Sequence, residues 1–299
     1  MTGLSPQRVS LRVPATSANL GPGFDCLGLA LDLWAEFTLE TSDLPLPAPD
    51  DPLLSMVLDA ASAWYAAHGE KPPEGLAATW HGDIPVARGL GASACARAAG
   101  IVGANALAGR PVDLEAALTL GSKLEGHADN MAPALFGGLQ VAVREGDVTL
   151  HAPVRLPPGL RVVLLVPERP MLTDESRQAL PAHISREDAV YNIGRACLLI
   201  AALAAGRVDL LAAATDDRLH QPARSRLLPG MYEVIAAARE AGALCAYLSG
   251  GGSAIAAWTV GNQEKIAQAM LEAAEAAGAT AGIMLTAPAG SGVHILKTE

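Results

Sequence analysis

The stretch that decides the fold runs from Pro85 to Gly100 and reads PVARGLGASACARAAG. An apolar run ends at a proline, Gly89, Leu90, Gly91 and Ala92 turn the chain, and Ser93 opens a segment of nearly continuous helix formers. The pattern predicts a strand, a glycine loop and a helix in succession. At such a junction the first backbone N–H groups of the helix have no intrahelical acceptor and sit at the positive end of its dipole, so they cradle phosphate. A hydrogen bond to a charged group contributes roughly 1.5–3 kcal/mol, so three or four amides supply about 5–10 kcal/mol before desolvation. A micromolar ligand needs about 8 kcal/mol. The loop is therefore strong enough to hold a nucleotide and says nothing about chemistry.

Two familiar phosphate loops do not fit. No Lys-Ser or Lys-Thr follows the glycines, and Ala94 stands where a dinucleotide fingerprint needs its third glycine. A lone Gly-x-Gly before an alanine-rich helix also fits plain capping or close packing, so the rest of the chain has to decide.

With 299 residues, 51% of them hydrophobic, the chain can fill one large core or two of ordinary size. Aromatics are only 4%, which points to thin, closely packed helices. A net charge of −10 argues against a nucleic acid or an anionic membrane as partner and makes each arginine near a polar loop more informative. Cys26, Cys95, Cys197 and Cys245 lack zinc or redox spacing and are expected to be buried thiols. No signal-like N-terminus and no charge-free run of membrane-spanning length occur, so a cytoplasmic protein is expected.

Residues 8–13 alternate with period two as a half-buried strand that Pro14 should end. The loop that follows, within PATSANLGPGFDCLGLAL, packs Thr16, Ser17, Asn19, Gly21, Gly23 and Asp25 between apolar runs, more polar residues than a bare turn requires. An elaborate hairpin turn is the alternative. Asp51 caps a helix from Pro52 to His68, and residues 76–84 form a strand into the glycine loop. A helix capped by Asp113 delivers Glu125, after which EGHADNMAPALFGGL crowds Glu125, His127, Asp129 and Asn130 into six positions. Such crowding is locally unfavourable and is commonest at functional sites, although a solvated turn also allows it.

A hairpin over residues 138–154 precedes Pro157-Pro158, a boundary between halves at 1–156 and 157–299. The second half reads as strand 160–166, helices over about 185–218 and 230–241, strands 243–248 and 254–259, helix 262–277 and strand 281–286. This is the split βαβ order of ferredoxin-like domains with one inserted helix.

Three motifs now agree. PVARGLGASACA resembles the phosphate loop of the GHMP kinases, LSGGGSAIAAW at 248–258 resembles their C-terminal glycine motif, and PATSANLGPGFDCLGLAL with EGHADNMAPALFGGLQ resembles the homoserine kinase branch. The likeness covers nearly the whole chain. It implies an α+β, two-domain GHMP kinase fold, ribosomal protein S5 domain 2-like then ferredoxin-like, with the site between. It also implies ATP-dependent phosphorylation of the side-chain hydroxyl of L-homoserine in threonine biosynthesis.

Carried over by that resemblance, Pro85, Arg88, Gly89, Leu90, Gly91, Ala92, Ser93, Ala94 and Cys95 bind ATP, and Ser93 with Glu125 holds Mg²⁺. Asn19, Asp25 and Asn130 take catalytic positions, while His127, Asp129, Thr173, Arg177 and Arg224 bind the substrate. The resemblance also implies a homodimer. The chemistry is coherent, because a zwitterion needs a guanidinium fork for its carboxylate and a carboxylate for its ammonium. Phosphoryl transfer rests mostly on positioning and charge neutralisation, so no strong base is required, with Asp25 in reserve. Ala92, Cys95 and Ser253 depart from the superfamily pattern of serine, alanine and proline. A catalytically silent ligand sensor and a kinase for mevalonate or a sugar are the rival readings, although Ser93 and Glu125 are both retained.

Overall fold

A computed structural model describes residues 7–299. Strand β1 (Arg8–Ala18) buries Val9, Leu11 and Val13 and turns Arg8, Ser10 and Arg12 outward, the alternation expected of a half-covered strand. It does not end at Pro14. The register shifts between Pro14 and Thr16, and this irregularity accommodates the missing N–H so that the strand continues to Ala18.

Strand β2 (Leu27–Ser42) pairs with β1 along its length, with β3 (Gly75–Gly82) at its far end and with β4 (Leu139–Glu145) at its start; β4 pairs in turn with β5 (Val148–Val154). Helices α1 (Pro52–Ala67), α2 (Ala92–Leu107), α3 (Leu114–Glu125) and α4 (Met131–Phe136) cover this sheet. Helix α2 is buried on nearly every side, and its alanines and glycines let it approach both β1 and α1. A Cβ on Gly100 would run into the Val57 carbonyl of α1.

The second sheet holds β6 (Arg161–Pro167), β7 (Cys245–Leu248), β8 (Ile255–Thr259) and β9 (Ala281–Thr286) in the antiparallel order β7-β8-β6-β9 of a ferredoxin-like domain. Helices α9 (Met231–Glu240) and α10 (Gln263–Ala276) pack on it. Between β6 and β7 the insertion is more than one helix. It comprises α5 (Thr173–Gln178), α6 (Arg186–Ala205), α7 (Leu211–Ala214) and α8 (Gln221–Arg224), because Gly206 stops α6 in a left-handed cap at φ 68° and so ends the expected 185–218 run.

Two further expectations change. The last strand, β10 (His294–Thr298), crosses back to pair with β1, so the first sheet is completed by residues beyond 157. Cys95 and Cys245 are buried, but Cys26 is only partly buried and Cys197 is exposed on α6. Among the described residues, α6 is also the one helix long and apolar enough to cross a membrane by length and composition.

The α1–α2 contact makes a direct test. Gly100→Val should force the helices apart and cost about 1–3 kcal/mol, lowering Tm by several degrees in a calorimetric scan. An unchanged Tm would show that the two helices do not meet there.

Candidate active site

The glycine loop and the start of α2 form the floor of a cleft of about 630 Å³ between the two sheets. Gly91 caps α2 at φ 70°, and a Cβ there would collide with the Thr16 hydroxyl; Gly89, at φ 72°, lies equally close to the Ser249 carbonyl. The 248–258 motif thus serves as a brace. Ser249 Oγ donates to Gly89 O at 2.7 Å, Ala254 N to Arg88 O at 3.0 Å and Gly250 N to Ala18 O at 3.0 Å. Ser253, in the position usually held by proline, donates to Arg169 O at 2.8 Å and ties down the segment after β6.

The loop residues expected at the nucleotide divide. Gly89, Leu90, Gly91, Ala92 and Ser93 line the cleft, whereas Pro85 and Arg88 do not. The Arg88 guanidinium donates instead to the carbonyls of Pro167, Glu168, Val86 and Ala87, stapling the loop to the end of β6. Ala94 and Cys95 face the core: Cys95 Sγ lies 3.1 Å from Pro14 O, and burial pushes its thiol pKa up. At the outer end of the cleft are Met56, Val86 and Trp80, whose Nε1 donates to Asp51 Oδ2 at 2.7 Å.

Ser93 Oγ donates to Glu125 Oε2 at 3.2 Å, joining the first turn of α2 to the end of α3. These two oxygen donors fit a small hard cation such as Mg²⁺. Glu125 is also held by Arg97 and lies 3.7 Å from His127 Nε2. Arg97 was not anticipated as a site residue, although it lies four positions after Ser93 and so on the same helical face.

Beyond Glu125 the polar turn closes on itself. His127 Nδ1 donates to Asp129 Oδ1 at 2.6 Å, and Asn130 Oδ1 accepts from Thr16 at 2.7 Å. Burial opposes a charged imidazole, but the Asp129 hydrogen bond and the charges of Asp129 and Glu125 prevail and raise the His127 pKa. Asn19 accepts from Asp25 N at 3.0 Å and donates to Gly250 O at 2.9 Å, so most of its carboxamide braces the loop. Asn19, Leu20 and Asp25 hold φ values of 68°, 48° and 57°, a concentration of backbone strain at the cleft.

Arg177 and Arg224 both reach this end of the cleft. Arg177 binds Asp25 through two hydrogen bonds of 2.7 and 3.2 Å, so the groups expected at opposite ends of a zwitterion meet each other. Arg224 is buried; desolvation and the nearby Arg177 charge lower its pKa to about 10, which leaves it a cation at neutral pH. Thr173 opens α5, and its side chain lies outside the described residues.

Behind Arg224 lies a layer that sequence reasoning missed. Fully buried His220 donates from Nε2 to Gly21 O at 2.8 Å and accepts at Nδ1 from Arg224 at 3.0 Å, an arrangement only the neutral imidazole can make. Asp217 accepts from the backbone N–H groups of Leu219, His220 and Gln221. Burial lowers the His220 pKa from 6.5, so the unfolded chain binds this proton first and stability falls as pH drops through and below 6.5. His127, with its raised pKa, acts in the opposite sense, so the loss is read as a difference: between pH 8 and pH 5 the parent protein should lose more stability to denaturant, relative to its value at pH 8, than His220→Gln does. An equal slope in both proteins would remove His220 as its source.

Two family models match the chain. The GHMP kinases N terminal domain matches residues 55–138 and the GHMP kinases C terminal model matches residues 199–284. The chain is 43% identical over 297 residues to a homoserine kinase of Moorella thermoacetica, covering 96% of this chain and 99% of that one. It is 40% identical over 306 residues to a homoserine kinase of Synechococcus, covering 96% and 98%. A crystal structure of homoserine kinase from Cytophaga hutchinsonii superposes with a TM-score of 0.86 at 28% identity, covering 97% and 98%. On these matches, the chain belongs to the homoserine kinases of the GHMP kinase family.

Proposed function

We propose that the cleft transfers the γ-phosphoryl group of ATP to the side-chain hydroxyl of L-homoserine, giving O-phospho-L-homoserine for threonine biosynthesis. The observation that carries this reading is the joining of one phosphate-cradling helix terminus to a pocket lined by Asp25, Asp129, Arg177 and Arg224.

The amides from Gly89 to Ser93 hold the phosphates, and the apolar end near Met56 and Trp80 takes the base. The carboxylate of the amino acid pairs with Arg177 and Arg224, and its ammonium pairs with Asp25 or Asp129. Binding in this way exchanges the Asp25–Arg177 bonds for bonds to substrate, so little charge is left unpaired in either state. Asn130, fixed by Thr16, orients the hydroxyl, with the remaining amide proton of Asn19 beside it.

Ser93 and Glu125 would hold Mg²⁺, which when bound neutralises charge on the transferred group. Arg97 occupies one Glu125 oxygen and supplies a further positive charge beside the phosphate site. The reading extends to a cytoplasmic homodimer that takes small molecules and neither nucleic acid nor membrane, as the net charge of −10 favours.

ADP release measured with MgATP and homoserine, serine, mevalonate or galactose should show homoserine as the favoured acceptor; turnover confined to mevalonate or galactose would reassign the pocket. Arg224→Ala and Arg177→Ala should raise KM for homoserine roughly 10- to 100-fold, the value of a hydrogen bond to a charged group. A change confined to KM for ATP would refute the substrate pose. In a Mg²⁺ titration at fixed ATP, Glu125→Gln should raise the half-maximal concentration at least about tenfold and Arg97→Gln should lower it roughly threefold. Equal midpoints in all three proteins would dissociate this pair from the metal.

A further inference from the structure

Phe24 meets three of the groups at the arginine end of the cleft. The guanidinium carbons of Arg177 and Arg224 lie 5.7 and 5.4 Å from its ring centroid, and the ring of His220 stacks against it at 5.5 Å with 29° between the planes. The two cations repel each other, and the Arg177 charge is one of the causes that lower the Arg224 pKa. Keeping both in place takes more than their attraction to one aromatic ring.

The two arginines are held differently. Arg177 pairs with the Asp25 carboxylate, whereas the bonds of Arg224 go to neutral acceptors: Nε to Ser176 O at 3.3 Å, and one terminal nitrogen to Gly250 O at 3.2 Å and to His220 Nδ1 at 3.0 Å. Among the described residues the other terminal nitrogen has no partner, and Arg224 lines the cleft. A neutral acceptor fixes a guanidinium without cancelling its charge, which stays available to an anion. His220 is itself locked: Nε2 donates to Gly21 O at 2.8 Å, its backbone N–H donates to Asp217 Oδ2 at 3.0 Å, and Asn192 donates to Asp217 Oδ1 at 2.7 Å.

We propose that His220 is a positioning residue for the substrate, its Nδ1 serving as the neutral acceptor that aims Arg224 at the carboxylate of homoserine. The inference rests on the reading of Arg224 as the partner of that carboxylate and adds what aims it.

Two isosteric exchanges separate this role from packing. Asparagine carries Oδ1 two bonds from Cβ, as histidine carries Nδ1, so His220→Asn keeps the acceptor and loses the Gly21 bond. Glutamine carries its amide nitrogen three bonds from Cβ, as histidine carries Nε2, so His220→Gln keeps the Gly21 bond and loses the acceptor. His220→Gln should raise KM for homoserine roughly three- to tenfold with kcat and KM for ATP unchanged, while His220→Asn stays within about twofold of the parent protein. In an Arg224→Ala background His220→Gln should change KM no further. A KM that follows the melting temperatures of the two variants instead of the acceptor, or a second rise in the Arg224→Ala background, would overturn the inference alone. Arg224→Ala without a rise in KM would overturn the substrate reading and the inference with it. Nitrogen NMR of the histidine-labelled parent protein needs no substitution and should show His220 as the Nε2–H tautomer, with an Nδ1 resonance that moves when homoserine saturates the cleft. A proton on Nδ1, or a resonance indifferent to homoserine, would equally overturn the inference.

Discussion

The structure depends on one close approach of backbone to backbone, where the phosphate loop of the first domain touches the glycine motif of the second. Phosphate is held here by main-chain amides, and amides cannot be retuned by changing a side chain. Their geometry has to be fixed from outside. Ser249 and Ala254 bond the loop at Gly89 and Arg88, Arg88 staples it to the carbonyls that end β6, and Thr16 fills the space that Gly91 leaves open. These contacts come from β1, from the end of β6 and from the 248–258 motif. The loop is therefore a property of the assembled domains, which explains why the glycine-rich sequence alone fits a helix cap as well as a nucleotide site.

The same geometry explains the departures from the superfamily pattern. Ala92 forfeits a hydroxyl at a position that lines the cleft, while Ser93 keeps its oxygen beside Glu125. Cys95 faces Pro14 in the core, where its small apolar bulk suffices. Ser253 does with one hydrogen bond to Arg169 O what a rigid ring does by restricting the backbone. Each substitution leaves the amides themselves in place.

What the sequence made legible was local. The strand-loop-helix junction, the Asp51 and Asp113 caps and the βαββαβ order of the second half follow from composition and period, and they stand where expected. The motif residues Glu125, His127, Asp129, Asn130, Arg177 and Arg224 converge on one cleft as the family resemblance implied. What escaped was relational. No pattern in HQPAR tells that His220 must be neutral because Arg224 bonds its Nδ1, and none in residues 287–299 tells that β10 returns to pair with β1. Arg88 and Arg97 carry the same charge in the same motif, yet one bonds carbonyls and the other a carboxylate. That distinction exists only once α3 brings Glu125 alongside α2.

Charge in the cleft follows a rule that bears on how it works. Arg177 holds Asp25, Arg97 holds Glu125 and His127 holds Asp129, while buried Arg224 is held by the Ser176 and Gly250 carbonyls and by His220 Nδ1, so most of the ionic groups expected to meet a ligand have an intramolecular counter-ion. An unpaired buried charge would cost several kcal/mol, and a site built of such charges would tend to collapse or fill with water. A paired site avoids that cost and still binds, because substrate and metal displace one counter-ion with another at nearly constant charge. Affinity then comes from the difference between two sets of bonds, which keeps it moderate and allows product to leave. The strained backbone at Asn19, Leu20 and Asp25 fits the same logic. Asp25 is held where Arg177 can reach it by a loop that is costly in itself and is stabilised by Asn19 and by Gly21, packed against Thr215 of the second domain.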